Sequence, residues 1–133
     1  MAVERVPRIR LRSVPGAGAL VVRGDELDPV LLAEDASRFH ERFPDWGRYG
    51  ISAFEAENDA EIAVVCQTRL VRFASVVVFE REDLERAGVH VVPTFRRPHV
   101  TLCHELLDQL VERLVHCEHP VLRNPYHVAE GKE

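Results

Sequence analysis

The sequence predicts an α+β domain, a single compact unit with a mixed or antiparallel sheet of about five strands and three to four helices. Two observations carry that expectation. Short apolar, β-branched runs such as Leu20-Val21-Val22 and Ser75-Val76-Val77-Val78-Phe79 alternate with amphipathic helical segments. The connections between them are too short and too mixed for a doubly wound parallel fold. A length of 133 residues suits one domain with its own core. The chain is expected to divide into a basic arm or edge strand over 1–18, a core over 19–117 and a polar tail over 118–133.

Taken in order, Ile9 and Leu11 alternate with Arg8, Arg10 and Arg12, as in a short edge strand. Ala19 to Val22 reads as a buried first strand ending at Arg23-Gly24. Asp28 then caps a helix with Pro29 at its first position. Leu31, Leu32, Asp35, Phe39 and Phe43 follow at helical spacing, and Pro44 ends the element. Tyr49 to Phe54 is the second strand. Asn58 and Glu61 stand at capping-box spacing before a helix through about Gln67. Arg72 to Phe79 is the strongest strand run, and Glu82 to Ala87 is a short helix closed by Gly88. Val89 to Val92 and His99 to Cys103 flank a proline-bounded connection. Glu105 to His116 is amphipathic, with Leu106, Leu107, Leu110, Leu114 and Val115 as its apolar stripe.

With 17 basic and 22 acidic side chains the net charge is −5, so whole-molecule attraction to nucleic acid or an anionic membrane is not expected. Three cysteines, Cys66, Cys103 and Cys117, form an odd set without CxxC spacing, which points to a reducing, cytoplasmic setting. The apolar runs are too short for a membrane span. GxSxG, phosphate-loop, HExxH and GxGxxG patterns are missing, so a conventional hydrolase, kinase or Rossmann oxidoreductase is not expected.

Four groups of residues carry possible chemistry. Arg23 at a strand end, beside Gly24, could grip a phosphate as a bidentate fork, or could pair with Asp25 or Glu26. Tyr49 and Ser52, in a glycine-flanked stretch, could stack on a ring and hold a phosphate, or could close the edge of the core. His99 and Thr101 lie two apart on a strand and face one side, with Arg96 and Arg97 just before them. That set could bind a phosphate and move a proton, or could be a satisfied, half-buried histidine beside a β-favouring threonine. Cys103-His104 and Cys117-Glu118-His119 hold metal-ligating atoms, but the intervening helix separates them by roughly 18 Å, so no metal is expected.

Two resemblances follow from these residues. A first strand closing on Val22-Arg23-Gly24, then a helix, then a strand opening Tyr49-Gly50-Ile51-Ser52, resembles the small ADP-ribosyltransferase fold. It is most similar to compact RES-like bacterial toxins, which act on NAD and are paired with an antitoxin. The resemblance runs over roughly Leu20 to Leu102. It implies Arg23 as the NAD anchor, Tyr49 stacking on nicotinamide and Ser52 as the strand polar group. The family's ExE pair is missing here, and His99 or Thr101 would stand in its place. Separately, Pro98-His99-Val100-Thr101-Leu102 resembles one half of the 2H phosphoesterase signature, whose second HxT motif this chain lacks.

The expectation is therefore an NAD-consuming transferase or glycohydrolase, toxin-like, taking a small phosphate-bearing ligand. Tyr49, Ser52 and His99 would be catalytic, with Arg23, Gly24, Arg96, Arg97 and Thr101 binding NAD. An antitoxin and a homodimer are possible partners. The alternatives are a phosphodiester-cleaving enzyme using His99 and Thr101, and a non-enzymatic interaction module pairing through Arg8 to Arg12.

Overall fold

In the computed structural model residues 19–128 are described; the basic arm expected over 1–18 and the last five positions lie outside them. The strands are β1 (Leu20–Gly24), β2 (Tyr49–Ala56), β3 (Ser75–Glu80), β4 (His90–Pro93), β5 (His99–His104) and β6 (Val121–Arg123). The helices are α1 (Pro29–Arg42), α2 (Asp59–Thr68), α3 (Arg81–Arg86) and α4 (Leu107–His116), with a 3-10 turn at Pro44–Trp46. Together they form one α+β domain around one sheet, ordered β4-β5-β2-β1-β3-β6, with every neighbouring pair antiparallel.

Local chemistry sets the helix starts as expected. The Asp28 carboxylate accepts from the Val30 and Leu31 amides, with Pro29 at the first helical position. The Asn58 side chain accepts from the Glu61 amide, and the Glu61 carboxylate reaches back to the Glu57 amide.

Strand parity separates two cores. On one side Val21, Ile51, Ala53, Val77, Phe79, Val100 and Leu102 meet Leu32 and Ala36 of α1, Leu84 of α3, and Leu110 and Leu114 of α4. On the other side Val22, Ala56, Val76 and Val78 pack under Val65 and Cys66 of α2 and Leu70. No buried residue of that second cluster comes from β4 or β5. Among the described residues, α2 covers that second side over β1, β3 and the Ala56 end of β2.

Two expectations are corrected. The strand placed at Arg72 begins at Ser75, because the Phe73 amide bonds to the Leu70 carbonyl in a turn. The tail placed at 118–133 instead supplies β6 along the β3 edge. Buried Asn124 ties it down, its amide donating to Ala74 and its side chain to the Leu70 and Phe73 carbonyls.

Candidate functional site

A cleft of about 470 Å³ opens between α1 and the sheet, floored by Gly50, Ile51 and Ser52 of β2. Helix α1 supplies Asp35, Arg38, Phe39 and Arg42, whose three- and four-residue spacings place them along one face, and its C-cap residue Phe43 follows. Arg23 enters from the end of β1 and Phe95 from the β4–β5 connection.

The arginines are held in place. Arg23 Nη2 lies 2.8 Å from Asp35 Oδ2, and its Nη1 donates to the Ser52 carbonyl at 2.7 Å. Arg38 Nη2 lies 2.8 Å from the other oxygen of Asp35, so one carboxylate orients two guanidiniums. Burial pulls the Arg23 guanidinium below its ordinary value, and Asp35 opposes that shift. The Arg42 guanidinium sits 5.4 Å from the centre of the Phe43 ring. Three guanidiniums against one carboxylate leave the lining two charges positive on a molecule of net charge −5.

Aromatic rings form the apolar wall. Phe39 contacts Phe43 at 5.0 Å between centroids, Phe43 contacts Phe95 at 5.9 Å, and Phe95 contacts His99 at 5.0 Å. Gly50 makes room for this wall. A Cβ there would lie 2.6 Å from Thr101 Cγ2 and 2.8 Å from the Phe39 ring.

Across the Arg23–Asp35 pair lies a second hollow of about 380 Å³, reached also by Asp25, Glu26, Asp28, Arg69 and Arg72. Four carboxylates against three guanidiniums leave it one charge negative, so an anion favours the first cleft.

The structure brings together only some of the residues singled out in the sequence. Arg23 and Ser52 line the cleft, and Arg23 pairs with Asp35 rather than with Asp25 or Glu26. His99 stands behind Phe95, its Nδ1 2.7 Å from the Thr94 hydroxyl. The Thr101 hydroxyl is wholly buried on that same Thr94 oxygen, at 2.7 Å. Arg96 and Arg97 are exposed on the connection beside the cleft and do not line it. Gly24 borders the second hollow, and its smallness admits the Phe73 ring, which a Cβ there would strike. Tyr49 stacks on His40 at 4.5 Å, away from the cleft. The reason is parity, since Tyr49 and Ser52 are three apart on one strand and face opposite sides.

Among the described residues no group of three or more His, Cys, Asp or Glu is placed to hold a metal ion. Cys103 instead accepts from Arg48 Nη1 at 3.7 Å, and burial pushes its thiol up to about 11.

Sequence reasoning passed over Arg38, Arg42 and Phe95 and treated Asp35 as one of the α1 spacing series. The signal was present in Asp35-x-x-Arg38-x-x-x-Arg42, a charged stripe beside the Phe39–Phe43 apolar stripe of the same helix.

Fold and site together define a helix-flanked antiparallel α+β domain with an arginine-lined, aromatic-walled cleft. No family model, curated protein or solved structure matches this chain.

Proposed function

We propose that the cleft binds a small phosphate-bearing ligand carrying a planar ring, with NAD the first to test. The observation that supports this is the meeting of Arg23, Arg38 and Arg42 with Phe39, Phe43 and Phe95 around one opening. Guanidinium forks match phosphate oxygens, and ring faces match a base. The reaction proposed at that site is NAD consumption by ADP-ribosyl transfer or hydrolysis, in a toxin-like protein. Loss of nicotinamide leaves an oxocarbenium-like centre, stabilised by position and electrostatics. Asp35 is the carboxylate in the lining and Ser52 the hydroxyl. Tyr49 takes no part, and ring stacking falls to Phe43 and Phe95. A phosphodiester reaction would need the Thr101 hydroxyl on a phosphate oxygen, and Thr94 already holds that hydroxyl in a wholly buried place.

Calorimetry with NAD, ADP-ribose and inorganic pyrophosphate tests the site. Arg42→Ala should weaken the phosphate ligands by about tenfold or more, the usual loss of a charged hydrogen bond. If none of the three binds at millimolar concentration, the proposal is wrong. Nicotinamide release, followed by chromatography, tests the reaction separately. Binding without release would discard the transferase reading and leave the site. Growth arrest on induced expression, relieved by Arg42→Ala, is the outcome expected of a toxin.

A further inference from the structure

We propose that the groove between α1 and α4 is a docking surface for a basic amphipathic helix of a partner protein. It lies away from the cleft, has a volume of about 550 Å³, and is floored by Pro29, Ala33, Leu107, Val111 and Val115. Val30 adjoins it, 68 % exposed, and Leu106, just before the stripe, is 57 % exposed. Clustered apolar surface of this kind on a folded domain marks a place where something binds.

Charge and geometry choose the occupant. Asp108 and Glu112 of α4 border the apolar floor, and Glu34 and Glu41 of α1 line an adjoining hollow that shares Pro29 and Ala33 with it. Among the described residues none of these four carboxylates has a cationic partner. The basic groups nearby are Arg38, already paired with Asp35, and His116, bonded to the Glu112 carbonyl. A second copy would set Asp108 and Glu112 against the same pair of carboxylates, which disfavours self-association. A strand would find no free backbone edge, because both walls are helices. Leu107, Val111 and Val115 recur every fourth residue, making a ridge-and-groove surface that accepts helical side chains at matching spacing. The partner helix therefore presents an apolar stripe flanked by lysine or arginine.

The probe is a synthetic helix of about 18 residues, with leucines at i, i+3, i+4 and i+7 and arginines on the flanks. Its isomer carries glutamate in place of arginine. The basic peptide should bind with micromolar affinity, weaken as salt rises, and shift the methyl resonances of Val30, Val111 and Val115. The double variant Asp108→Lys, Glu112→Lys, with an unchanged melting temperature, should weaken the basic peptide about tenfold and admit the acidic isomer. The proposal is overturned if the two isomers bind alike, if the shifted methyls lie elsewhere, or if no binding occurs at millimolar peptide. A dimer in sedimentation that Val111→Glu breaks would also overturn it, since the groove would then belong to a second copy.

Discussion

Asp35 holds Arg23 with one oxygen and Arg38 with the other, so it both builds the cleft and cancels part of its charge. The two effects separate on substitution. Asp35→Asn removes the only carboxylate among the described residues of the lining and takes it from two charges positive to three. Anion affinity should rise a few-fold, read by calorimetry with pyrophosphate, while the urea midpoint falls because half-buried Arg23 loses its ionic partner. A drop in affinity would mean that Asp35 itself contacts the ligand. At this scale the sequence was informative about residue type and poor about pairing. Arg23 stood out as an anion grip, but its partner lies on α1, twelve positions away, a contact that local spacing does not encode.

The elements were mostly legible because their signals are local. Asp28-Pro29 and Asn58-x-x-Glu61 are capping patterns that act within one turn, and α1 and α2 begin where those patterns place them. The site was less legible because it depends on which face each element presents. Tyr49 and Ser52 were read together from proximity, while strand alternation sends them to opposite sides of the sheet. The sixth strand escaped for a different reason. Three exposed residues, Val121 to Arg123, carry no strong strand pattern, and side-chain bonds from Asn124 across the chain hold them in place. Asn124→Ala should therefore cost about 2 kcal/mol, the usual penalty for stranding buried polar partners, and raise hydrogen exchange in β6 and the Val71–Ala74 turn. An unchanged urea midpoint would show that backbone pairing alone keeps β6 in place.

At the scale of the whole molecule, all three cysteines are buried and unpaired, and burial raises the thiol of each. Cys103 moves furthest, from 9.0 to about 11. Its folded-state value is raised, so its contribution to stability is complete below pH 9 and is lost as pH climbs towards 11. In that window the unfolded thiol ionises while the folded one keeps its proton. Denaturation midpoints should fall between those two pH values, and Cys103→Ala should flatten the fall even if it lowers stability throughout. A slope identical to that of the parent protein would rule out Cys103 as its source.

The placement of α1 carries a consequence for thermodynamics. One flank of this helix, through Asp35, Phe39 and Arg42, walls the arginine cleft, and another, through Pro29 and Ala33, forms half of the α4 groove. A single rigid rod thus borders both openings. Whatever displacement of α1 an occupant of one opening favours is imposed on the other. By linkage, the factor by which a docked helix changes ligand affinity must equal the factor by which the ligand changes affinity for that helix.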